Sequence, residues 1–388
     1  RATAVLMALA AGATTALPAQ IPLGGGMGAQ TGVTFEQWRF GCCSAATPET
    51  SVRQASEWTV PITADVSLGR VSIDAYAAWM RGEVTLRGPD QPTYHLDGVT
   101  DTYLRAGVHL AGDALLLTVG ANVPTGKTTL DGGELNVLDV VGAPALRYQT
   151  PVLGTGWGGT TGLVYTARAG EWSWGFGASY EYRGQYSPAQ AAALGLGTGD
   201  FDLRPGQAIR VSVGSDGLVG QSAMTMSLAS TFYTQDRVAL SAGGTPPEPL
   251  TLGPMFTAQW QLRAAAGAFR ELSVYAFDRY RMSYHRDGQT VAGTNGNELE
   301  FGTTGRIPMG RSLGFVASLR GRYHTGLSID ASLPTAGIVA AGGDVGFAWD
   351  AGRFELRPTV GGEFGRLDTG LSRFDVHKLE AALTISAH

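Results

Sequence analysis

The sequence predicts an all-β chain folded as a transmembrane, antiparallel, up-and-down β-barrel. Three observations carry that expectation. Apolar and polar residues alternate with period two along most of the chain, the alternating segments outrun the ~5–6 residues usual in soluble sheets, and their connections are short and long by turns. Hydrophobic residues make up 44% of the 388, yet they never gather into the ~18-residue apolar run that a spanning helix needs. Charged residues are only 16% and glycines number 56, so the apolar side chains are dispersed, as in a wall with one greasy face and one wet face.

The first residues stand apart from this pattern. Arg1 precedes a small-apolar run from 4 to 11 and a small-residue end at 14–20, the parts of a secretory signal with cleavage after Ala16 or Ala19. We therefore expect a signal peptide at 1–19, an N-terminal periplasmic segment at 20–30 and a barrel over 31–388, in the outer membrane of a Gram-negative-type bacterium. Cys42 and Cys43 are adjacent, which suits neither a disulfide framework nor a zinc site. The net charge of −5 argues against nucleic acid as a partner.

The strands follow in order. Trp58, Val60, Ile62, Ala64, Val66 and Leu68 alternate with Thr59, Pro61, Thr63, Asp65 and Ser67. After Gly69-Arg70 the next strand sets Val71, Ile73, Ala75, Ala77 and Trp79 against Ser72, Asp74, Tyr76 and Ala78, making a tight hairpin. Thr102, Leu104, Ala106, Val108 and Leu110 oppose Asp101, Tyr103, Arg105, Gly107 and His109. Trp172, Trp174, Phe176, Ala178, Tyr180 and Tyr182 oppose Ser173, Gly175, Gly177, Ser179, Glu181 and Arg183. Leu252, Pro254, Phe256, Ala258, Trp260 and Leu262 oppose Thr257, Gln259, Gln261 and Arg263; Phe354, Leu356, Pro358, Val360 and Phe364 oppose Glu355, Arg357, Thr359 and Glu363. A period of 3.6 cannot produce such runs. The last strand sets Leu379, Ala381, Leu383 and Ile385 against Lys378, Glu380, Thr384 and Ser386, and the chain ends on His388, where such barrels generally finish on an aromatic residue.

Short connections fall at Gly69-Arg70, Ala111-Gly112-Asp113, Ala169-Gly170, Asp216-Gly217, Met309-Gly310-Arg311 and Asp350-Ala351-Gly352. Long ones cover 85–100, 124–157, 184–205, 234–250, 285–296 and 326–341. Short periplasmic turns and long extracellular loops are what one-sided insertion produces, and Trp58, Trp79, Trp172, Tyr182 and Phe232 sit at strand ends as interface aromatics. Parity decides the segment 135–147. Counting it as a strand would make the Ala169-Gly170 turn extracellular, whereas Leu135, Leu138, Val141 and Ala145 fall at helical intervals. We expect a short amphipathic helix there, with Asp131 or Glu134 at its N-terminus, inside a loop that sits on or folds into the barrel mouth. The count is then sixteen strands starting near Gly32, or fourteen if 31–41 is not a strand.

Two enzyme-like motifs fail in context. Gly126-Lys127-Thr128 ends like a phosphate-binding loop, but the glycine required five residues earlier is Ala121. Gly310-Arg311-Ser312-Leu313-Gly314 has the spacing of a nucleophile elbow but falls in a hairpin between strands. His95, His109, His285, His324, His377 and His388 form no visible constellation with a nucleophile. No catalytic residue, metal site or cofactor is expected.

The run WTVPITADVSLGRVSIDAYAAW at 58–79 resembles the early hairpin of the outer-membrane proteins of the meta-cleavage (MetA) pathway of phenol degradation. GANVPTGKTTLD at 120–131 looks like that family's strand ending in a Leu-Pro-Thr-Gly-type loop, and GTGWGGTTGLVYTARAGEWSWGFGASYEYRG at 154–184 is similar to its next hairpin. The resemblance covers about a third of the chain. The chain departs in its longer 124–157 loop, its extra C-terminal hairpins and its missing terminal aromatic. The resemblance implies a transporter for aromatic or other hydrophobic compounds, and brings no catalytic residue.

By parity Asp65, Asp74, Asp101, Arg105, His109, Glu181, Arg183, Arg210, Arg263, Arg306, Arg320, Arg322, Arg357 and Glu363 point into the lumen, with Tyr76, Tyr103, Tyr233 and Tyr275 as aromatic members of the lining. An Arg on the lipid face would cost about 2–4 kcal/mol at the midplane, so inward placement is favoured. Such charges either pair across the wall and hold register, or bias permeation. Two functions follow: an outer-membrane channel or transporter for small molecules, aromatic or hydrophobic compounds among them; or a non-transport barrel, either a membrane-embedded hydrolase or a structural or adhesion protein. Lipid and a small-molecule solute are the expected partners, with no expectation for oligomeric state.

Overall fold

The structure is a computed structural model that describes residues 26–41, 52–88, 90–196, 198–240, 248–326, 337–368 and 373–387. The expected signal peptide at 1–19, Cys42, Cys43 and His388 lie outside the described residues. Sixteen wall strands form one closed antiparallel barrel. They are β1 (Gly26–Phe40), β2 (Val52–Leu68), β3 (Val71–Leu86), β4 (Thr93–Val99, continued by Thr102–Leu110), β5 (Leu115–Val123), β6 (Gly158–Ala169), β7 (Trp172–Arg183) and β8 (Ala208–Val219). They continue as β9 (Ser222–Tyr233), β10 (Met255–Ala266), β11 (Phe269–Arg281), β12 (Gly296–Pro308), β13 (Leu313–Thr325), β14 (Gly337–Asp350), β15 (Phe354–Asp368) and β16 (Arg373–Ala387). Each strand pairs with the next in sequence. Phe35 of β1 lies between Trp58 of β2 and Ala381 of β16, so the ring closes and leaves no edge in the membrane. That double pairing decides for sixteen strands over fourteen.

The boundaries correct the sequence reading in several places. The first strand begins at Gly26, ahead of Gly32. The expected 85–100 loop is largely wall, because Thr93–Val99 pairs with β3 (Trp79↔Val99 to Thr85↔Thr93). β10 starts at Met255, so Leu252 is buried in a loop cluster with Tyr284 rather than placed in a strand. The β8–β9 hairpin turns at Gly220, with φ +63, and not at Asp216-Gly217, which stay paired with Thr225 and Met224. Gly217 is a glycine for another reason: a Cβ there would stand 2.4 Å from the Trp172 ring. All seven short turns carry a glycine in the left-handed region: Gly69, Gly112, Gly170, Gly220, Gly267, Gly310 and Gly352.

The wall has two patterns, one above the other. Through most of each strand the outward residues are apolar and exposed, as with Ile62, Leu163, Phe176, Leu228, Phe301 and Leu319, while the inward ones are polar. Beyond Trp58 and Trp79 the alternation inverts. Inward Trp38, Met80, Val84, Leu96, Ile338 and Val376 are buried, and outward Arg39, Arg81, Asp97, Arg366 and His377 are exposed. The strands here have left the bilayer. Water lies outside them and folded loop fills the inside.

That loop holds α1, Gly132–Val141, so the expected helix at 135–147 begins three residues earlier and ends at Gly142, with Pro144 beyond it. Asp131 and Glu134 act together as a capping box: Asp131 accepts from the Glu134 backbone N–H at 2.8 Å, and Glu134 accepts from that of Asp131 at 3.1 Å. Leu135, Val137, Leu138 and Val141 pack with Trp38, Met80, Val84 and Leu96 in one apolar cluster. The same cluster takes in Tyr186, Phe201 and Leu203 from a small sheet that two further loops build (Tyr186–Gln190, Asp200–Arg204, Arg237–Leu240). The mouth therefore has its own hydrophobic core.

Candidate pore lining and the loop inside it

The 124–157 loop enters the lumen; its inner stretch 145–150 is tied to one side of the wall, while at the mouth Thr129 and Leu130 bond to Ser187 and Pro188 of the 184–207 loop. Asp101 sits at the break in β4 and accepts from the loop's two ends, Gly126 N at 3.0 Å and Thr155 N at 2.7 Å, and from Asn122 Nδ2 of β5 at 2.8 Å. Farther in, Glu57 of β2 accepts from Thr150 N at 2.8 Å, and Glu36 of β1 accepts from Gln149 N at 3.0 Å. Trp38 Nε1 donates to the Leu146 carbonyl at 3.1 Å, and Arg322 of β13 donates to that of Ala145. Arg147 then reaches β12, pairing with Glu300 and lying 3.3 Å from Glu298. Backbone polar groups inside a barrel need partners, and the inward carboxylates supply them. In this loop Gly126-Lys127-Thr128 is structural: Gly126 N serves Asp101 and Lys127 pairs with Glu134.

The wall that receives the loop carries several groups of paired charges. Arg320 bonds Glu363 at 2.7 Å, Asp344 at 3.1 Å and Glu380 at 3.0 Å; Arg322 bonds the other oxygen of Glu363 at 2.9 Å. Lys378 joins Glu36 to Glu380, and Arg279 pairs with Glu298. Toward the periplasmic end Arg306 meets Glu355 at 3.0 Å, and Arg357 lies 3.3 Å from the same carboxylate. Four of these links, Arg320 to Glu363 and Glu380, Arg322 to Glu363 and Arg306 to Glu355, join strands that are not neighbours and bridge the curved wall; Arg320 to Asp344, Arg279 to Glu298 and Lys378 to Glu36 join neighbouring strands and fix register.

The remaining sequence-derived positions are more scattered. Arg105 holds Asp74 at 2.9 Å, and Asp65 stands directly opposite Asp74 on β2. Tyr76 and Tyr103 are register partners, and the Tyr103 hydroxyl lies 3.2 Å from Thr160 Oγ1. Glu181 and Arg183 pair at 2.8 Å, and Arg183 lies 5.5 Å from the centre of the Tyr233 ring. Arg263 reaches Gln261 at 3.0 Å. Arg210 stands between Ser179 and Thr231. His109 lies 3.6 Å from Asp113 beside its turn, and Ser312 is in the turn before β13, so the structure does not bring them together. Trp58, Trp79, Tyr182 and Phe232 are exposed outward, and the Trp172 ring covers Gly217.

Between β6 and β9 the inward face is of another kind. Thr160, Gly162, Gly177, Ser179, Ser212, Gly214, Thr225 and Ser227 line it, small and uncharged apart from Glu181, Arg183, Arg210 and the end residues Arg168 and Asp216. Above it, in the loop layer, Asp236 accepts from Gly206 N at 2.5 Å; burial pushes its carboxyl up to about 6, against the opposing effects of that bond and of Arg183. Burial likewise pushes the Tyr148 and Tyr186 hydroxyls up.

Sequence reasoning missed Glu36, Glu298, Glu300, Asp344, Lys378 and Glu380 as members of the lining. Strand parity was the signal for each. Arg147, in a loop, carried none. Among the described residues no group of three His, Cys, Asp or Glu could hold a metal ion.

No family model matches the chain, and no curated protein matches it. Solved structures align over nearly their whole length. An outer membrane channel from Pseudomonas putida F1 is 11% identical over 95% of this chain and 97% of that one, with a TM-score of 0.38. Pseudomonas putida OprB is 12% identical over 93% and 94%, with a TM-score of 0.46. A mutant of the TodX monoaromatic hydrocarbon channel is 11% identical over 94% and 91%, with a TM-score of 0.42. Likenesses this distant carry no residue role to the present chain.

Proposed function

We propose that this protein is an outer-membrane channel for small molecules, in which the 124–157 loop narrows the lumen and solutes pass along the β6–β9 side. The one-sided tethering of the loop's inner stretch to the wall carries this reading. The loop's ties go to β1, β2, β4, β12 and β13 through Glu36, Glu57, Asp101, Glu298, Glu300 and Arg322. The small-residue wall opposite receives none of those ties, and a sixteen-stranded barrel is wide enough for water unless it is filled.

The cargo follows from the inward tyrosines. Tyr233 stands on the β6–β9 side, at the end of β9, and faces Arg183. Elsewhere around the lumen Tyr76 and Tyr103 sit side by side on β3 and β4, and Tyr275 of β11 donates to Glu300 at 2.8 Å. Rings with an apolar body and a polar tip suit a small aromatic solute bearing a hydroxyl or carboxylate. The resemblance of 58–79, 120–131 and 154–184 to the phenol-degradation family supports the same class. Planar-bilayer recording tests the reading: the wild type conducts, and Arg147→Ala, which frees the loop from β12, raises single-channel conductance. Absence of both conductance and solute flux from the folded wild-type barrel would reject it.

A further inference from the structure

The outward face of β11 reads Val274, Ala276, Asp278, Tyr280, since its inward residues are Tyr275, bonded to Glu300, and Arg279, bonded to Glu298. Asp278 therefore points at the lipid. It stands between Ala258 and Leu299 in the ladder, one outward position below Tyr280. Among the described outward positions between the two aromatic girdles it is the one charged side chain.

Its surroundings are shaped. Small Ala258 and Ala276 between larger Trp174, Met226, Leu228 and Trp260 leave an apolar groove of about 450 Å³, lined also by Asp278. A second groove of about 480 Å³, bounded by Val211, Ser230, Phe256 and Tyr280, meets the first at Asp278. Asp278 Oδ1 is shut off and has no hydrogen-bond partner. Asn297, opposite Tyr280, likewise leaves its Oδ1 unpartnered. A carboxylate lining two greasy grooves where they meet calls for a ligand with an acyl chain and a donor near its head.

We propose that this groove binds one molecule of outer-leaflet lipid, its acyl chain lying along the groove and its hydroxyl or amide N–H donating to Asp278. Asp278 lies toward the extracellular end of β11, at outer-leaflet depth. A second copy of this chain fits less well: the described outward band holds no Lys or Arg with which to meet the carboxylate. A lipid whose amide-linked, hydroxylated chains place donors just under the headgroup supplies both requirements, and a carboxylate in hydrocarbon persists where it is partnered.

The proposal goes beyond the channel reading, because it depends on the outer wall and not on the lumen. The full-length barrel is reconstituted in phosphatidylcholine nanodiscs doped with lipid A and examined by native mass spectrometry, alongside Asp278→Leu, Asp278→Asn and the lumen variant Ser179→Ala. We expect one lipid A retained by the wild type and by Ser179→Ala, at least tenfold less by Asp278→Leu, and an intermediate amount by Asp278→Asn, which keeps an acceptor. Heat-modifiable migration on gels verifies that each variant is folded. Equal retention by Asp278→Leu, or none by the wild type, overturns the proposal. So does a mass of two or more barrels that Asp278→Leu dissociates, which would assign the face to a second copy.

Discussion

The part of the wall inside the bilayer and the part above it use the same strands and the same pleat, yet they are patterned in opposite senses. In β3, Ile73, Ala75 and Ala77 face out and Asp74 and Tyr76 face in; farther along the same strand, Arg81 and Glu83 face out while Met80 and Val84 face in. The pleat of β3 runs through without interruption, although its partner β4 is broken opposite it at Thr100-Asp101. What changes is the medium: lipid gives way to water outside, and lumen water gives way to α1 inside. Alternation therefore reports a strand, and only its sense reports the neighbour on each face. The crossover at Trp58 and Trp79 also marks the outer edge of the membrane more sharply than the aromatics alone.

The comparison breaks first at Trp38, the largest of the fully buried side chains. Trp38→Ala removes the ring that packs beneath the loop and its bond to Leu146, at a cost of about 3–5 kcal/mol. We expect the loop to leave its seat, trypsin to cut after Arg147 many times faster and the barrel to remain closed. Unchanged protection of Arg147 would mean that the polar ties alone hold the loop.

The next effect tests the two heights on one face. Leu319 is outward at mid-strand and 67% exposed. Leu319→Arg there should cost about 2–4 kcal/mol in guanidinium unfolding from vesicles. Arg366→Leu, outward but above the girdle, should change stability by only a few tenths. Equal costs at the two sites would erase the boundary drawn here.

The smallest effect belongs to the loop layer over the rim. With its carboxyl raised from 3.8 to about 6, Asp236 favours the folded loop when protonated. Its contribution is full below about 3.8 and is lost as the pH rises through about 6. Protection factors of the 201–207 and 234–240 amides, taken against the intrinsic exchange rate at each pH, should thus be higher at pH 5 than at pH 7.5, and Asp236→Asn should remove the difference.

Much of this was legible from residues alone. The helix in the 124–157 loop came from spacing and from turn–loop parity, and its cap from Asp131 and Glu134; its extent did not, because 145–147 keep the apolar rhythm after Pro144 has ended the helix. Asp216-Gly217 read as a turn because glycine marks turns, whereas this glycine makes room for Trp172. Thr93–Val99 read as a loop because its outward residues, His95 and Asp97, are polar, as they must be above the bilayer.

By itself the sequence determined that the chain is a membrane barrel whose strands alternate between two media. That follows from a local rule: each residue of a pleated strand faces one of two solvents, and its polarity records which. Tertiary structure alone decided which charges meet, that Arg147 crosses to Glu298 and Glu300, that the loop lies along one wall, and that Asp278 faces lipid without a partner. Those facts depend on the closure of the ring and on the path of a loop, and neither leaves a period in the chain.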